Sequence, residues 1–161
     1  MQFILGTKGK KMIEYRKASI NYIKYLVQYR KQLLVETGEV FVNEIDNEFS
    51  DYFISSISDN SLISWLAVDR EKIVATSGIC FYQLPPTYRN PSGKNAYITN
   101  MYTLPEYRKQ GIGSRLLQLA IDEAKMLKYK VIRLHAASAE AKSIYSKAGF
   151  NDTDGYMALR L

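Results

Sequence analysis

The sequence predicts one domain of the mixed α/β class, and three observations lead to that class. Some segments alternate apolar and polar residues, as strands do, whereas others repeat apolar residues every three to four positions, as amphipathic helices do. These segments follow one another as strand, two helices, a meander of strands, helix, strand, helix and strand, an order that places helices against a mixed sheet. A chain of 161 residues, of which 47% are hydrophobic and 24% charged, is long enough for one core and short for two.

The first part of the chain is predicted to contain a leader, a strand and two helices. Residues 1–11 show no periodicity and are expected to form a flexible leader, so that the folded domain spans residues 12–161. Residues 12–18 alternate and predict the first strand. Ser19 is a candidate cap for a helix that reaches about residue 36 and ends at Gly38. Asn43 is a candidate cap for a second helix that reaches about residue 57.

The remaining strands follow from alternation and from short apolar runs between turn residues. A polar turn at 69–72 predicts a hairpin, and the loop at 85–94, with three prolines and a glycine, is expected to be ordered only in part. The predicted strands are 61–68, 73–84, 95–103, 131–136 and 151–161.

The stretch from Asn100 to Leu117 organises the rest of the chain. It is predicted to be the end of a strand, a turn at Pro105 and a glycine loop that leads directly into an amphipathic helix. The apolar stripe of this helix is predicted to face the sheet, and its charged residues to face away from it. The stripe contains Ile112, Leu116, Ala120 and Ala124, and the opposite side contains Arg115, Asp122, Glu123 and Lys125.

The beginning of this helix has the composition of a phosphate site. The first amides of a helix lack intrahelical acceptors and carry a partial positive charge. Gly111 and Gly113 have no side chain that would keep a ligand away from these amides, and Arg108 and Lys109 add positive charge. An NTPase phosphate loop would require Gly-Lys-Ser/Thr, which is absent, and a dinucleotide fingerprint would require a third glycine where Leu116 stands.

What remains is Arg-x-x-Gly-x-Gly after a strand, and this resembles the pyrophosphate loop of the GNAT superfamily of acyl-CoA-dependent N-acetyltransferases. A second motif, Ala137-Ser-Ala-Glu-Ala-Lys-Ser-Ile-Tyr145-Ser-Lys-Ala-Gly149-Phe150, is similar to the family's later helix with its tyrosine. Many members have asparagine where this chain has Ser138. The resemblance implies a central mixed sheet of six to seven strands with a splayed strand pair, flanked by about four helices.

The resemblance also implies the site. Acetyl-CoA is the expected co-substrate, and its pantetheine arm is expected to pair with the strand before the glycine loop, while its pyrophosphate meets the loop amides. Ser138 is expected to replace the asparagine, and Lys142 to reach the nucleotide phosphates. The residues implied to bind acetyl-CoA are Met101, Tyr102, Thr103, Arg108, Lys109, Gln110, Gly111, Ile112, Gly113, Ser114, Ser138 and Lys142.

The same resemblance implies the chemistry. Tyr145 matches the family's tyrosine that donates a proton to the departing CoA thiolate. A backbone N–H near Met101 or Tyr102 is expected to stabilise the oxyanion. The general base stays open, because the cofactor-binding strand has no carboxylate and Glu106 lies beyond it. The alternatives are His135 and a chain of waters.

Partners and location follow from charge and composition. The acceptor is expected to be a primary amine of a small molecule, with the acidic segment 36–51 as its binding side. The net charge of +6 is concentrated near the amino terminus, and an anionic cofactor accounts for part of the positive field. Nucleic acid is therefore not the expected partner. With one cysteine, no metal-ligand pattern and no apolar run of roughly 20 residues, we expect a cytoplasmic protein without metal or membrane contact. Homodimer formation stays open.

Three functions therefore compete. The first is transfer of an acetyl group to a small-molecule amine. The second is a non-catalytic, regulatory module that binds acetyl-CoA, which the missing strand carboxylate allows. The third is acetylation of a protein amine.

Overall fold

A computed structural model describes residues 12–41, 43–153 and 159 of the chain. In these residues one open sheet has five strands in the order β1-β2-β3-β4-β5, and four α-helices flank it. Strands β1 to β4 are antiparallel neighbours, and β5 runs parallel to β4. In chain order the elements are β1 (Ile13–Lys17), α1 (Ile23–Glu36), α2 (Asp46–Ser58), β2 (Leu62–Asp69), β3 (Lys72–Gln83), β4 (Lys94–Thr103), α3 (Ile112–Met126), β5 (Val131–Leu134) and α4 (Ala139–Lys147).

The mixed α/β class and the order of the elements are confirmed. Five of the six strands predicted from the pattern are present, against the six to seven implied by the resemblance. The sixth, at 151–161, falls largely outside the described residues, as does the predicted leader at 1–11.

The helices pack on both faces of the sheet. On one face α1 and α2 cover β2 to β4, with Leu26 of α1, Phe53 of α2 and Leu66 of β2 almost fully buried. On the other face α3 lies across β2, β3 and β4, and Leu116 and Ala120 are fully buried there. Because successive strand residues point to opposite faces, β2 supplies apolar side chains to both layers.

Two predicted helix starts were wrong. Ser19 precedes a short 3₁₀ turn at Ile20–Tyr22, its hydroxyl makes no capping bond, and α1 begins at Ile23. The second helix begins at Asp46 rather than after Asn43. Acidic residues in its first turn complement the helix dipole, which explains a start without a side-chain cap. The predicted stop at Gly38 is confirmed: its φ is +89°, and its N–H donates to the Val35 carbonyl at 3.1 Å.

The apolar stripe of α3 is confirmed, but Glu123 was placed on the wrong side of that helix. Its side chain is only 6% exposed and forms an ion pair with Lys17 of β1 at 2.5 Å. The buried face of α3 is wider than the predicted stripe, because residue 123 lies one turn beyond Ala120 on the same side. In the part of the chain that the structure describes, no helix combines the length and the apolar character needed to cross a bilayer.

Candidate functional site

A gap opens between β4 and β5. The two strands pair from Asn95 opposite Val131 to Ile98 opposite Leu134, where β5 ends. β4 continues to Thr103, so its last residues have no neighbour from β5. Unpaired strand groups require partners, so this edge is a place where a ligand can add hydrogen bonds.

A β-bulge reshapes β4 beside this gap. Between Thr99 and Tyr102 the strand advances three residues while the paired residues of β3 advance two. Asn100, in the bulge, has φ of +51° and is almost fully buried, and its carbonyl accepts a hydrogen bond from the Thr76 hydroxyl at 3.0 Å. Bulges of this kind redirect side chains and end regular pairing, and they are common next to active sites.

A cavity of ≈970 Å³ lies at the gap and is covered by the carboxyl-terminal part of α1. Met101 of β4 and His135, which follows β5, both line it, and Glu39 closes it from the segment after α1. His135 is exposed. Glu106 does not line the cavity; it pairs with Lys72 at 2.9 Å.

The glycine loop leaves the first amides of α3 open. Gly111 has φ of +78°, the left-handed conformation that favours glycine, and its carbonyl accepts the Arg115 N–H at 3.0 Å. Within the described residues no side chain caps this helix, so the amides of Ile112, Gly113 and Ser114 lack intrahelical acceptors. The loop therefore has the geometry of an anion site.

The loop lies close to the end of β4. A Cβ built on Gly113 would have the Thr103 hydroxyl, at 3.9 Å, as its sole neighbour within 4 Å among the described residues. Lys109 is also left-handed, with φ of +58°, and Gln110 donates to the Glu106 carbonyl at 3.0 Å. Residues predicted to bind one cofactor are thus brought together from a strand end and a helix start.

Arg108 and Tyr102 are connected to α1 through Glu36. The Arg108 guanidinium donates to the Thr103 carbonyl at 2.9 Å and to both Glu36 carboxylate oxygens, at 2.9 and 2.7 Å. The Tyr102 hydroxyl donates to the same carboxylate at 3.2 Å, and its ring lies 5.6 Å from the guanidinium. Tyr102 therefore contributes its backbone to the gap and its side chain to the α1 side. The sequence offered no signal for this pairing of distant residues.

Three further predicted residues lie on α4 or directly before it. The Ser138 hydroxyl caps this helix by accepting the Ala141 N–H at 3.1 Å, and Ser138 follows Ala137, which lines the cavity. Lys142 forms an exposed ion pair with Asp152 at 2.7 Å.

The third of these residues, Tyr145, is almost fully buried. Its ring packs edge-on against Phe150 with centroids 6.1 Å apart. Burial, and secondarily Tyr97, raises the pKa of the Tyr145 hydroxyl above its ordinary value. That hydroxyl has no hydrogen-bond partner among the described residues. Tyr97 lines the cavity, whereas Tyr145 does not itself form its wall. The arrangement leaves a protonated phenol adjacent to a cavity-lining residue.

A second cavity of ≈400 Å³ adjoins the first, and sequence reasoning missed it. The two share the residues Arg30, Tyr97, Thr99 and Asn100. The other walls are the aromatic rings of Phe49, Tyr52 and Phe53 from α2 and the thiol of Cys80. In the described ranges, no group of three or more His, Cys, Asp or Glu side chains is arranged to hold a metal ion.

Comparisons with known proteins agree on one relationship. The model of the acetyltransferase (GNAT) family matches residues 28–150. The chain is 34% identical over 82 residues to an uncharacterised N-acetyltransferase of Bacillus subtilis (strain 168), YhfO; the match covers 49% of this chain and 55% of that protein. The chain thus matches about half the length of this curated relative.

Two solved structures are similar over nearly the whole chain. A predicted acetyltransferase from Clostridium acetobutylicum, crystallised with acetyl-CoA, is 40% identical with a TM-score of 0.88; the match covers 92% of this chain and 96% of that one. A GCN5-related N-acetyltransferase from Ralstonia eutropha JMP134 has a TM-score of 0.85 at 23% identity, and the match covers 92% of this chain and 99% of that one. The second likeness is one of fold.

Proposed function

Since the chain belongs to the acetyltransferase (GNAT) family, we propose that it transfers an acetyl group from acetyl-CoA to the primary amine of a small molecule by direct attack. The observation that carries this proposal is the edge of β4 beyond Ile98, which β5 leaves without a neighbour and which lies beside both the larger cavity and the open amides of α3. A strand edge followed by an anion site matches a molecule with an amide-containing arm and a pyrophosphate.

Acetyl-CoA is proposed to lie along this edge. Its pantetheine amides pair with the backbone of residues 101–103, and its pyrophosphate accepts hydrogen bonds from the amides between Lys109 and Ser114. The predicted acetyltransferase from Clostridium acetobutylicum that is 40% identical was crystallised with acetyl-CoA, which supports the same ligand here. Lys142 of α4 forms an exposed ion pair with Asp152. The nucleotide phosphates are proposed to replace Asp152 as its partner when the cofactor binds.

The chemistry is proposed to take place in the larger cavity. The amine nitrogen forms a bond to the acetyl carbon, the carbonyl becomes an oxyanion, and a backbone N–H at the bulge near Met101 or Tyr102 stabilises that charge. The carbon–sulfur bond then breaks, and its electron pair leaves with the sulfur. The proton lost by the amine passes to His135, which lines the cavity, or to water.

Tyr145 is proposed to protonate the departing thiolate. Burial raises the pKa of its hydroxyl, so the phenol keeps its proton throughout the neutral range. Since no described residue accepts that proton, the hydroxyl is available to a ligand sulfur. A phenol with a raised pKa is a weak acid, but a thiolate that is still forming in a low-dielectric site is a sufficient acceptor.

The test replaces Gly111 by Asp and, as the matched control, by Asn. The two side chains have the same shape, both tolerate the left-handed conformation, and a Cβ at this position meets no atom within 4 Å among the described residues. Like charges brought together cost several kcal/mol, so Gly111→Asp should weaken acetyl-CoA binding by roughly 100-fold relative to Gly111→Asn. Calorimetric titration with acetyl-CoA measures the difference, and equal affinities would contradict the placement of the pyrophosphate.

Release of the CoA thiol then separates the remaining alternatives. Thiol release that depends on an added small amine supports the proposed reaction. Binding of acetyl-CoA without release for any amine indicates a regulatory module. Release that occurs only with a polypeptide amine indicates a protein acceptor.

A further inference from the structure

The two cavities meet at one cationic side chain. Arg30 projects from α1 and lines both of them, together with three residues of β4 that flank or form the bulge. It is the single residue shared by the cavities that carries a charge, and within the described part of the chain no carboxylate pairs with it. A guanidinium that is half-buried and without an acidic partner is suited to an anionic group of a ligand.

The walls around Arg30 are aromatic. Phe49, Tyr52 and Phe53 approach from α2, Tyr97 lies opposite on β4, and no Asp or Glu among the described residues lines the smaller cavity. Burial raises the pKa of Tyr52 to about 12, and the positive charge of Arg30 lowers the same pKa. The Arg30 guanidinium therefore acts electrostatically on the aromatic wall of the smaller cavity. The volume of ≈400 Å³ is within the range of about 300–1,000 Å³ that small-molecule pockets occupy.

Three of the six acidic residues in segment 36–51, which was expected to attract a cationic acceptor, are engaged by other cations. Glu36 binds Arg108, and Glu44 and Asp46 both bind Lys31. Glu39 is the acidic side chain that lines the larger cavity among the described residues. The acceptor side thus presents one cation at the junction, one exposed carboxylate near the opening and an aromatic pocket behind the cation.

We propose that the acetyl acceptor is an amino carboxylate with an apolar or aromatic body, such as an α-amino acid, whose carboxylate binds Arg30 and whose body occupies the smaller cavity. This inference rests on the acetyl transfer proposed above and specifies its substrate class. In this arrangement the carboxylate is held at the junction of the two cavities. The amine is then directed along Thr99 and Asn100 toward the gap, where the thioester is placed.

The first arm of the test compares acceptors that differ in one charge. L-Phenylalanine, L-phenylalaninamide and phenethylamine share a ring and an amine, but only the first carries a carboxylate. A hydrogen-bonded charge pair corresponds to a preference of roughly 10- to 100-fold, so kcat/KM measured by thiol release, expressed per concentration of the unprotonated amine, should favour phenylalanine over its amide by that factor. Spermidine, a polycationic amine, should react more slowly still.

The second arm changes the protein. Arg30→Gln should abolish the preference for the acid, mainly through KM, and Arg30→Lys should keep part of it, because lysine retains the charge but loses the planar fork. Lys24→Gln is the matched control, because it removes one positive charge from an exposed position of the same helix. Acetyl-CoA affinity, measured by calorimetry on each variant, should stay unchanged.

The outcomes separate this inference from the function on which it rests. If the wild-type protein acetylates the amide or spermidine as well as the acid, or if Arg30→Gln keeps the preference, the substrate class is wrong while acetyl transfer stands. If acetyl-CoA binds but no amino carboxylate releases thiol, the substrate class is likewise overturned. If acetyl-CoA itself fails to bind, the proposed function fails first.

Discussion

Tyr145→Phe removes one oxygen and tests the proposed proton donor. General-acid groups typically contribute about 10²–10⁴ in rate, so we expect kcat to fall by roughly 10² or more when the proton has to come from water. Acetyl-CoA affinity should change little, because the tyrosine acts on the sulfur as it leaves. The ring itself, packed against Phe150, is retained.

The structure also predicts what this substitution does to stability. The Tyr145 hydroxyl has no hydrogen-bond partner among the described residues, so its removal leaves no buried acceptor unpaired there. We therefore expect the free energy of unfolding to change by less than about 0.5 kcal/mol. Tyr29→Phe is the opposite control: the Tyr29 hydroxyl donates to the Ile73 carbonyl, so its removal should cost about 1 kcal/mol and leave turnover unchanged.

Three measurements on both variants decide the matter: urea denaturation, calorimetric titration with acetyl-CoA, and thiol release with a saturating amine. A Tyr145→Phe protein that is stable, binds acetyl-CoA and turns over at the wild-type rate would refute the acid role. A protein that loses stability and turnover together would indicate that the tyrosine acts through packing.

Two further predictions concern stability. Lys17→Met leaves the buried Glu123 carboxylate without its cation. Because Lys17 itself is 48% exposed, we expect the free energy of unfolding, measured by urea denaturation, to fall by about 1–3 kcal/mol and to be largely restored by adding Glu123→Gln. An unchanged denaturation midpoint would contradict a stabilising pair. Burial raises the pKa of Tyr29 from 10.0 to about 12, so the folded state favours the neutral phenol. The stabilisation that the neutral Tyr29 phenol gives the folded state is complete below pH 10 and is lost as the pH rises through about 12. Tyr29→Phe should therefore reduce the slope of the unfolding free energy against pH in that window, measured by denaturation between pH 9 and 12.

Sequence reasoning succeeded where the signal was local. The periodicity of α3 and the glycines before it predict a helix with an open amino terminus, because both depend on residues a few positions apart. It failed for Glu123, whose side chain finds Lys17 on β1, far away in the chain. A stripe drawn from apolar residues alone cannot include a charged residue that is buried by a partner from another element.

The functional site likewise has features that the sequence could predict and features that it could not. The glycine loop and the end of β4 are contiguous in sequence, so their proximity could be predicted. The bulge at Asn100 could not, since it depends on the register between β3 and β4 and on a hydrogen bond from Thr76. Arg30 gave no signal, and the acidic segment predicted Glu36 on the acceptor side rather than at Arg108, because charges on an amphipathic helix look alike until the sheet that faces them is known.

These two residues give α1 a role beyond covering the sheet. Glu36 holds Arg108, whose guanidinium also binds the carbonyl of Thr103, at the end of the strand proposed to carry the pantetheine arm. Arg30, less than two turns earlier on the same helix, lines both cavities. One rigid helix therefore connects the proposed cofactor side with the proposed acceptor side. The Arg108–Glu36 pair is exposed on both sides, and exposed ion pairs contribute little to stability. Exchange of Glu36 for a phosphate at Arg108 therefore costs little free energy, and α1 keeps Arg30 at the acceptor pocket while the cofactor binds.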